Sequence, residues 1–138
     1  MLFFDDTLNN LEAENVRFIN EFIEKNSTMT LATKGDSDVR IAIINKLVVS
    51  DLNEVYFMSN LSSNKVQNIL ENGNVELLFY NDNQVVVISG QAELVESLAK
   101  KQELYEEWMD MHLNDGYQDK EYALVKVTTC KVRGILYN

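Results

Sequence analysis

Residues 58–73, MSNLSSNKVQNILENG, bring Ser59, Asn60, Ser62, Ser63, Asn64 and Lys65 almost back to back. They follow an apolar run and open a short helical pattern through Val66, Ile69 and Leu70. The first amides of a helix lack intrahelical acceptors, and the helix dipole favours negative charge there. Such an end takes phosphate, to which hydroxyls and a lysine add donors. The plainer account is that Ser62 or Ser63 caps the helix and Lys65 faces water. Capping needs one of these residues; it does not need four hydroxyl and amide groups with a lysine beside them. Arg40 is a second cation to weigh, early in the apolar pattern VRIAIIN, where a guanidinium is costly unless it meets an anion. That anion is either an Asp or Glu partner or a phosphate shared with Lys65 from a neighbouring strand.

The chain has 12 Lys and Arg against 22 Asp and Glu, a net charge of −10. This balance excludes nucleic acid and anionic membrane surfaces as expected partners, because both are held by basic surface. It also makes each clustered cation more telling, although most of the charge serves solubility. No apolar run nears the roughly 20 residues of a membrane span. The start, MLFFDDTLNN, lacks the basic and apolar regions of a secretory signal, so a cytoplasmic chain is expected. One cysteine, Cys130, excludes an intrachain disulfide, and its alternating surroundings, ALVKVTTCKV, predict a small core residue. One His and one Cys do not make a zinc set, and nothing pairs His112 with Cys130 as base and nucleophile.

Periodicity predicts a helix over 7–25, with Thr7 as its cap, then a strand over 28–33 and a hairpin turn at KGDSD. Strands follow over 39–50 and 55–60, then the short helix over 63–71, stopped by Asn72-Gly73-Asn74. Further strands cover 75–80 and 84–96, the latter with a bend or bulge at Gly90. A helix over 97–113 carries Leu98, Tyr105, Trp108 and His112 on one face, and YALVKVTTCKVRGILYN closes the chain as one or two strands. The expected fold is mainly β, an antiparallel six- to seven-stranded barrel with flanking helices. No repeat, linker or low-complexity segment interrupts residues 1–138, which read as one domain.

The ordered series MTLAT, VRIAIIN, VYFMSNLSSNKVQNILENGNVELLFY and VVVISGQAELVE resembles the pyridoxamine 5′-phosphate oxidase-like family of FMN-binding split barrels. It is most similar to the short members described as general stress proteins, from about Thr28 to Val95. The resemblance implies FMN as cofactor and a homodimer with flavin in the clefts between subunits. It implies that Arg40 opens the flavin-edge strand, followed by Ile41, Ala42 and Ile43, with Asn45 or Lys46 as a further polar ligand at its end. Ser59, Asn60, Ser63, Asn64 and Lys65 match the phosphate grip, with Asn64 where an arginine is common, and Gln84 falls near the flavin. The C-terminal arginine and histidine segment of the true oxidase has no match in VRGILYN, so vitamin B6 oxidation is not carried over. The implied activity is a flavin-dependent oxidoreductase acting on a small redox substrate. Its alternatives are a flavin-binding module without turnover, or a split barrel that takes haem or a deazaflavin.

Overall fold

Alternation of buried and exposed residues shapes most of this molecule, which a computed structural model describes over residues 1–137. Its strands are β1 (Leu2–Thr7), β2 (Thr28–Lys34), β3 (Val39–Asn45), β4 (Glu54–Asn60), β5 (Asn74–Asn81), β6 (Gln84–Leu94) and β7 (Tyr122–Leu136). The helices are α1 (Ala13–Lys25), α2 (Asn64–Glu71) and α3 (Leu98–Glu103). All strand pairs are antiparallel, in the order β1-β7-β6-β5-β2-β3, with β4 also on β7. The 15-residue β7 is long enough to hold β4 along Tyr122–Thr128 and β1 along Lys131–Leu136, while β6 runs beside both halves. The sheet curls until β3 and β4 face one another, joined among the described residues by a single bridge between Lys46 and Phe57. This is the split of the barrel, and the expected architecture is the one observed.

Inside, Leu31, Phe57, Leu77, Phe79 and Ile88 are fully enclosed together with Ile19 and Ile23 of α1. A second cluster, of Leu47, Met58, Leu104, Met109, Leu113, Tyr122 and Leu124, lies under the segment that follows β6. Burying such side chains contributes about 1.5–3 kcal/mol each, which ties that segment to the barrel.

Several boundaries differ from the sequence expectation. Residues 2–7 form a strand, because β7 overhangs β4 and offers its last residues an edge, with Phe4 buried against the core. Thr7 therefore ends β1 and makes no side-chain cap, and the helix begins at Ala13. The strand expected over 39–50 stops at Asn45, since Lys46 and Leu47 both turn inward and Val48 and Val49 both face out, which breaks the alternation. The helix expected over 97–113 breaks after Glu103, and a 3-10 segment, Glu107–Met111, follows. Between them Tyr105 packs edge-on against Tyr122, with ring centroids 6.0 Å apart, and its hydroxyl meets Asp110.

Cys130 faces out, contrary to expectation, because the bulge adds a residue on β7. Ser89 pairs with Lys131 but Gly90 pairs with Thr129, leaving Cys130 as the extra residue and reversing the inward parity beyond it. Gly90 itself is required by close approach: a Cβ there would lie 2.6 Å from the Thr128 carbonyl oxygen.

Candidate functional site

A cleft of about 230 Å³ opens along the split. One wall is the end of β3, at Ile43, Ile44 and Asn45; another is the end of β4, at Met58, Ser59 and Asn60. Lys65 enters from α2, and Trp108 and His112 enter from the 3-10 segment and the residue that follows it. Apart from the bridge at Lys46, the β3 edge turned towards the cleft is unpaired, so backbone donors and acceptors face the opening.

The hydroxyl cluster has two tasks. Ser63 caps α2 by accepting a hydrogen bond from the Val66 amide at 3.3 Å, as the plainer account requires. Its oxygen also lies 3.1 Å from that of the buried Ser59, which joins the end of β4 to the start of α2. Ser62 donates its amide to the Glu121 carboxylate at 3.0 Å, and it does not line the cleft. Asn60 and Asn64 are exposed. Lys65 is half-buried, and its ammonium has no hydrogen-bond or ion-pair partner among the described residues. Among the described residues no Asp or Glu lines the cleft, although the chain carries 22. A lysine kept among neutral donors, away from carboxylates, is suited to an anion that arrives from outside.

Arg40 sits elsewhere. Its Nε donates to Asp38 Oδ2 at 2.9 Å near the tip of the β2–β3 hairpin, where both side chains are well exposed. The two strands expected to aim Arg40 and Lys65 at one point are not paired neighbours, and Arg40 does not line the cleft. Arg40 does lie opposite Thr33, on the face of β3 that α2 covers, since Asn68 of α2 donates to the Thr33 hydroxyl at 3.2 Å. Ile41 and Ile43 project from the opposite face and are 73% and 78% exposed, while Ala42 packs inward on the core. Gln84 opens β6, accepts the Tyr137 amide at 2.9 Å and borders a separate cavity beside Leu2, Phe18 and Leu136. Within one chain it does not meet the cleft.

The third wall is held by Glu106. One of its oxygens accepts the Trp108 indole N–H at 2.7 Å, and the other accepts the Val48 amide at 2.8 Å. This carboxylate thus ties the indole to the loop that leaves β3. Nearby Lys46 is buried, which pushes its ammonium below the ordinary lysine range, partly opposed by Glu24 and Glu106. The His112 ring stands edge-on to the indole, with centroids 5.9 Å apart.

The family model described as pyridoxamine 5′-phosphate oxidase matches residues 16–136, from α1 to the end of β7. The chain belongs to the pyridoxamine 5′-phosphate oxidase family. A search of curated proteins finds no match. Among solved structures, a protein related to general stress protein 26 from Clostridium acetobutylicum is 20% identical, with a TM-score of 0.74 over 86% of each chain. General stress protein 26 from Bacillus anthracis is 21% identical, with a TM-score of 0.72 over 88% of this chain and 92% of that one. HutZ, the heme storage protein from Vibrio cholerae, is 15% identical, with a TM-score of 0.63 over 85% of this chain and 89% of that one. At these identities the likeness shows the fold.

For this member of the oxidase family, then, the cleft brings together Ile43, Asn45, Ser59, Asn60 and Lys65 of the expected residues. Arg40, Ile41, Ala42, Ser63 and Asn64 do not line it, although Ser63 touches the lining Ser59, and Gln84 borders a separate cavity. Trp108 and His112 were absent from the expected set. The signal for them was their shared face on the pattern over 97–113, but an ordinary helix gave no reason for that face to meet the split.

Proposed function

We propose that the protein is a flavoprotein that binds FMN along the split between β3 and β4 and works as a flavin-dependent oxidoreductase on a small redox substrate. The observation that carries this reading is Lys65, unpartnered among the described residues, beside the Ser59–Ser63 hydroxyl pair in a cleft that no described Asp or Glu lines. Those residues suit a phosphate monoester, and the unpaired β3 edge suits the polar rim of a flavin ring. In this reading Ser59, Ser63 and Lys65 hold the phosphate, with Asn60 and Asn64 at its rim. The backbone from Arg40 to Ile43 runs along the ring, and Asn45 closes the far end. Bound FMN supplies electron and hydride transfer, so no nucleophile or general base is asked of the chain.

The protein acts as a homodimer in this reading. Members of the family are typically dimeric. Val39, Ile41 and Ile43 form an alternating apolar row, each at least 66% exposed, which a second copy would cover. In this reading Gln84, remote from its own cleft, serves the flavin of the partner.

Titration with FMN and with riboflavin tests the phosphate grip. Lys65→Ala weakens FMN binding by about 1–3 kcal/mol, the range for a hydrogen bond to a charged group, and leaves riboflavin binding unchanged. Equal losses for the two flavins place Lys65 away from the phosphate. Turnover is tested by mixing the loaded protein with NADH or NADPH and then with oxygen or a quinone. Bound flavin that is neither reduced nor reoxidised marks a binding module without an enzymatic role.

A second reading exchanges the ligand for haem, favoured by His112 at the cleft and by the shared fold of HutZ. An intense Soret band that appears on reconstitution and vanishes in His112→Ala supports it. Haem uptake unchanged by that substitution removes it.

A further inference from the structure

The FMN reading gives roles to the cleft residues from β3, β4 and α2 and leaves out His112. This is the chain's single histidine, exposed at the rim of the same cleft. Its ring packs edge-on against Trp108, with centroids 5.9 Å apart and an interplanar angle of 79°. The indole is fixed in turn by Glu106, whose second oxygen is bonded to the loop after β3. Met109, between Trp108 and His112 in sequence, is fully buried and anchors the segment in the second core cluster. The imidazole is therefore presented to the cleft by a braced wall.

Charge makes that presentation useful. A phosphate monoester carries about −1.5 to −2 near neutral pH, and Lys65 supplies one positive charge. The remainder faces the field of a chain with net charge −10. Of the cleft-lining side chains, Lys65 and His112 alone carry basic nitrogen. An imidazole offers one N–H donor when neutral and two when protonated, so it can bond a phosphate oxygen in either state.

We propose that His112 is a second donor to the phosphate of the ligand, acting from the Trp108 wall while Lys65 acts from α2. The inference rests on the FMN reading of the cleft. It makes the phosphate site depend on two elements far apart in sequence, with Glu106 and Trp108 as the positioning residues behind the ring.

The full chain and its variants are titrated with FMN and with riboflavin, with Lys65→Ala run alongside. His112→Ala weakens FMN about tenfold and changes riboflavin by less than about twofold, as loss of a bond to a charged group requires. His112→Lys restores FMN affinity to within about threefold of the unaltered protein, and His112→Glu weakens it more than alanine does. Because the ring is exposed, all three variants keep the thermal midpoint of the unaltered protein. Equal losses for both flavins, or no loss for either while Lys65→Ala separates them, overturn the role of His112 and leave the FMN reading standing. Failure of the unaltered chain to bind FMN overturns both.

Discussion

The barrel is sealed along the seam between β6 and β7 and open along the seam between β3 and β4. The strands at the two seams are of similar character, since VVVISG and VRIAIIN are both short β-branched apolar runs. At the sealed seam, pairing runs from Val85–Ile135 to Leu94–Val125 with one bulge. Gly90 permits it, for its missing side chain lets the β7 backbone come within what would be 2.6 Å of a Cβ. At the open seam, β3 ends at Asn45, the chain turns through Lys46 and Leu47, and β4 pairs along β7 instead. What separates the two is geometry at a few residues rather than apolarity. The sealed seam closes the sheet, and the open one leaves a cleft.

The largest expected effect breaks the sealed side. In Gly90→Val, the new side chain meets the Thr128 carbonyl oxygen and Val127 Cγ1, which a Cβ would already approach to 2.7 Å. The expected cost is about 3 kcal/mol of unfolding free energy, the upper part of the overpacking range. A denaturant titration measures it, and a loss below about 1 kcal/mol would mean that β6 and β7 adjust without strain. On the open side the expected pattern is reversed. Ile43→Asp puts a charge on a side chain that is 78% exposed, so the stability of the single chain stays within about 0.5 kcal/mol. In the homodimer reading the same change raises the dimer dissociation constant at least about tenfold, or about 1.4 kcal/mol. Sedimentation at several concentrations reads it, and an unaltered dimer would move the interface off the β3 row.

Much of this contrast was legible in the sequence, and the exceptions have definite causes. Period-two alternation located β2, β4, β5 and β6 because each buries one face, and Asn72-Gly73-Asn74 stopped α2 as expected. The cap at Ser63 followed from local chemistry. The failures came where a distant partner decides the outcome. Leu2–Thr7 became a strand because β7 is long enough to offer an edge, which no local pattern reveals. Cys130 turned outward because a bulge residue shifts the parity of one strand against another. In the cleft, Ser59, Asn60 and Lys65 stood out by type and spacing, Ile43 and Asn45 came from the family resemblance, and Ile44 and Met58 were not expected. Nor were Trp108 and His112, since the break after Glu103 depends on Tyr105 reaching Tyr122 and on Glu106 reaching Val48.

The smallest effect concerns the residue that links the two sides. Tyr122 begins β7 at its pairing with β4, and its ring lies in the cluster with Met58 and Met109 beneath the cleft. Burial, more than the nearby Tyr105 and Glu106, pushes its hydroxyl from 10.0 up to about 12. The unfolded chain therefore releases this proton first as pH rises, so the folded state binds more protons between pH 10 and about 12. Stability falls with pH across that window, and below it the full contribution is present. Tyr122→Phe removes this part of the alkaline slope. Its cost below pH 10 is small, because the hydroxyl's one hydrogen bond, to the Lys101 carbonyl, is long at 3.4 Å. Tyr56, also raised to about 12 by burial and by its bond to Glu54, keeps a residual slope in the variant. Unfolding free energies measured from pH 8 to about 11.5 test the sign. A slope as steep in Tyr122→Phe as in the unaltered chain would show that the cluster under the cleft admits the phenolate, and with it water.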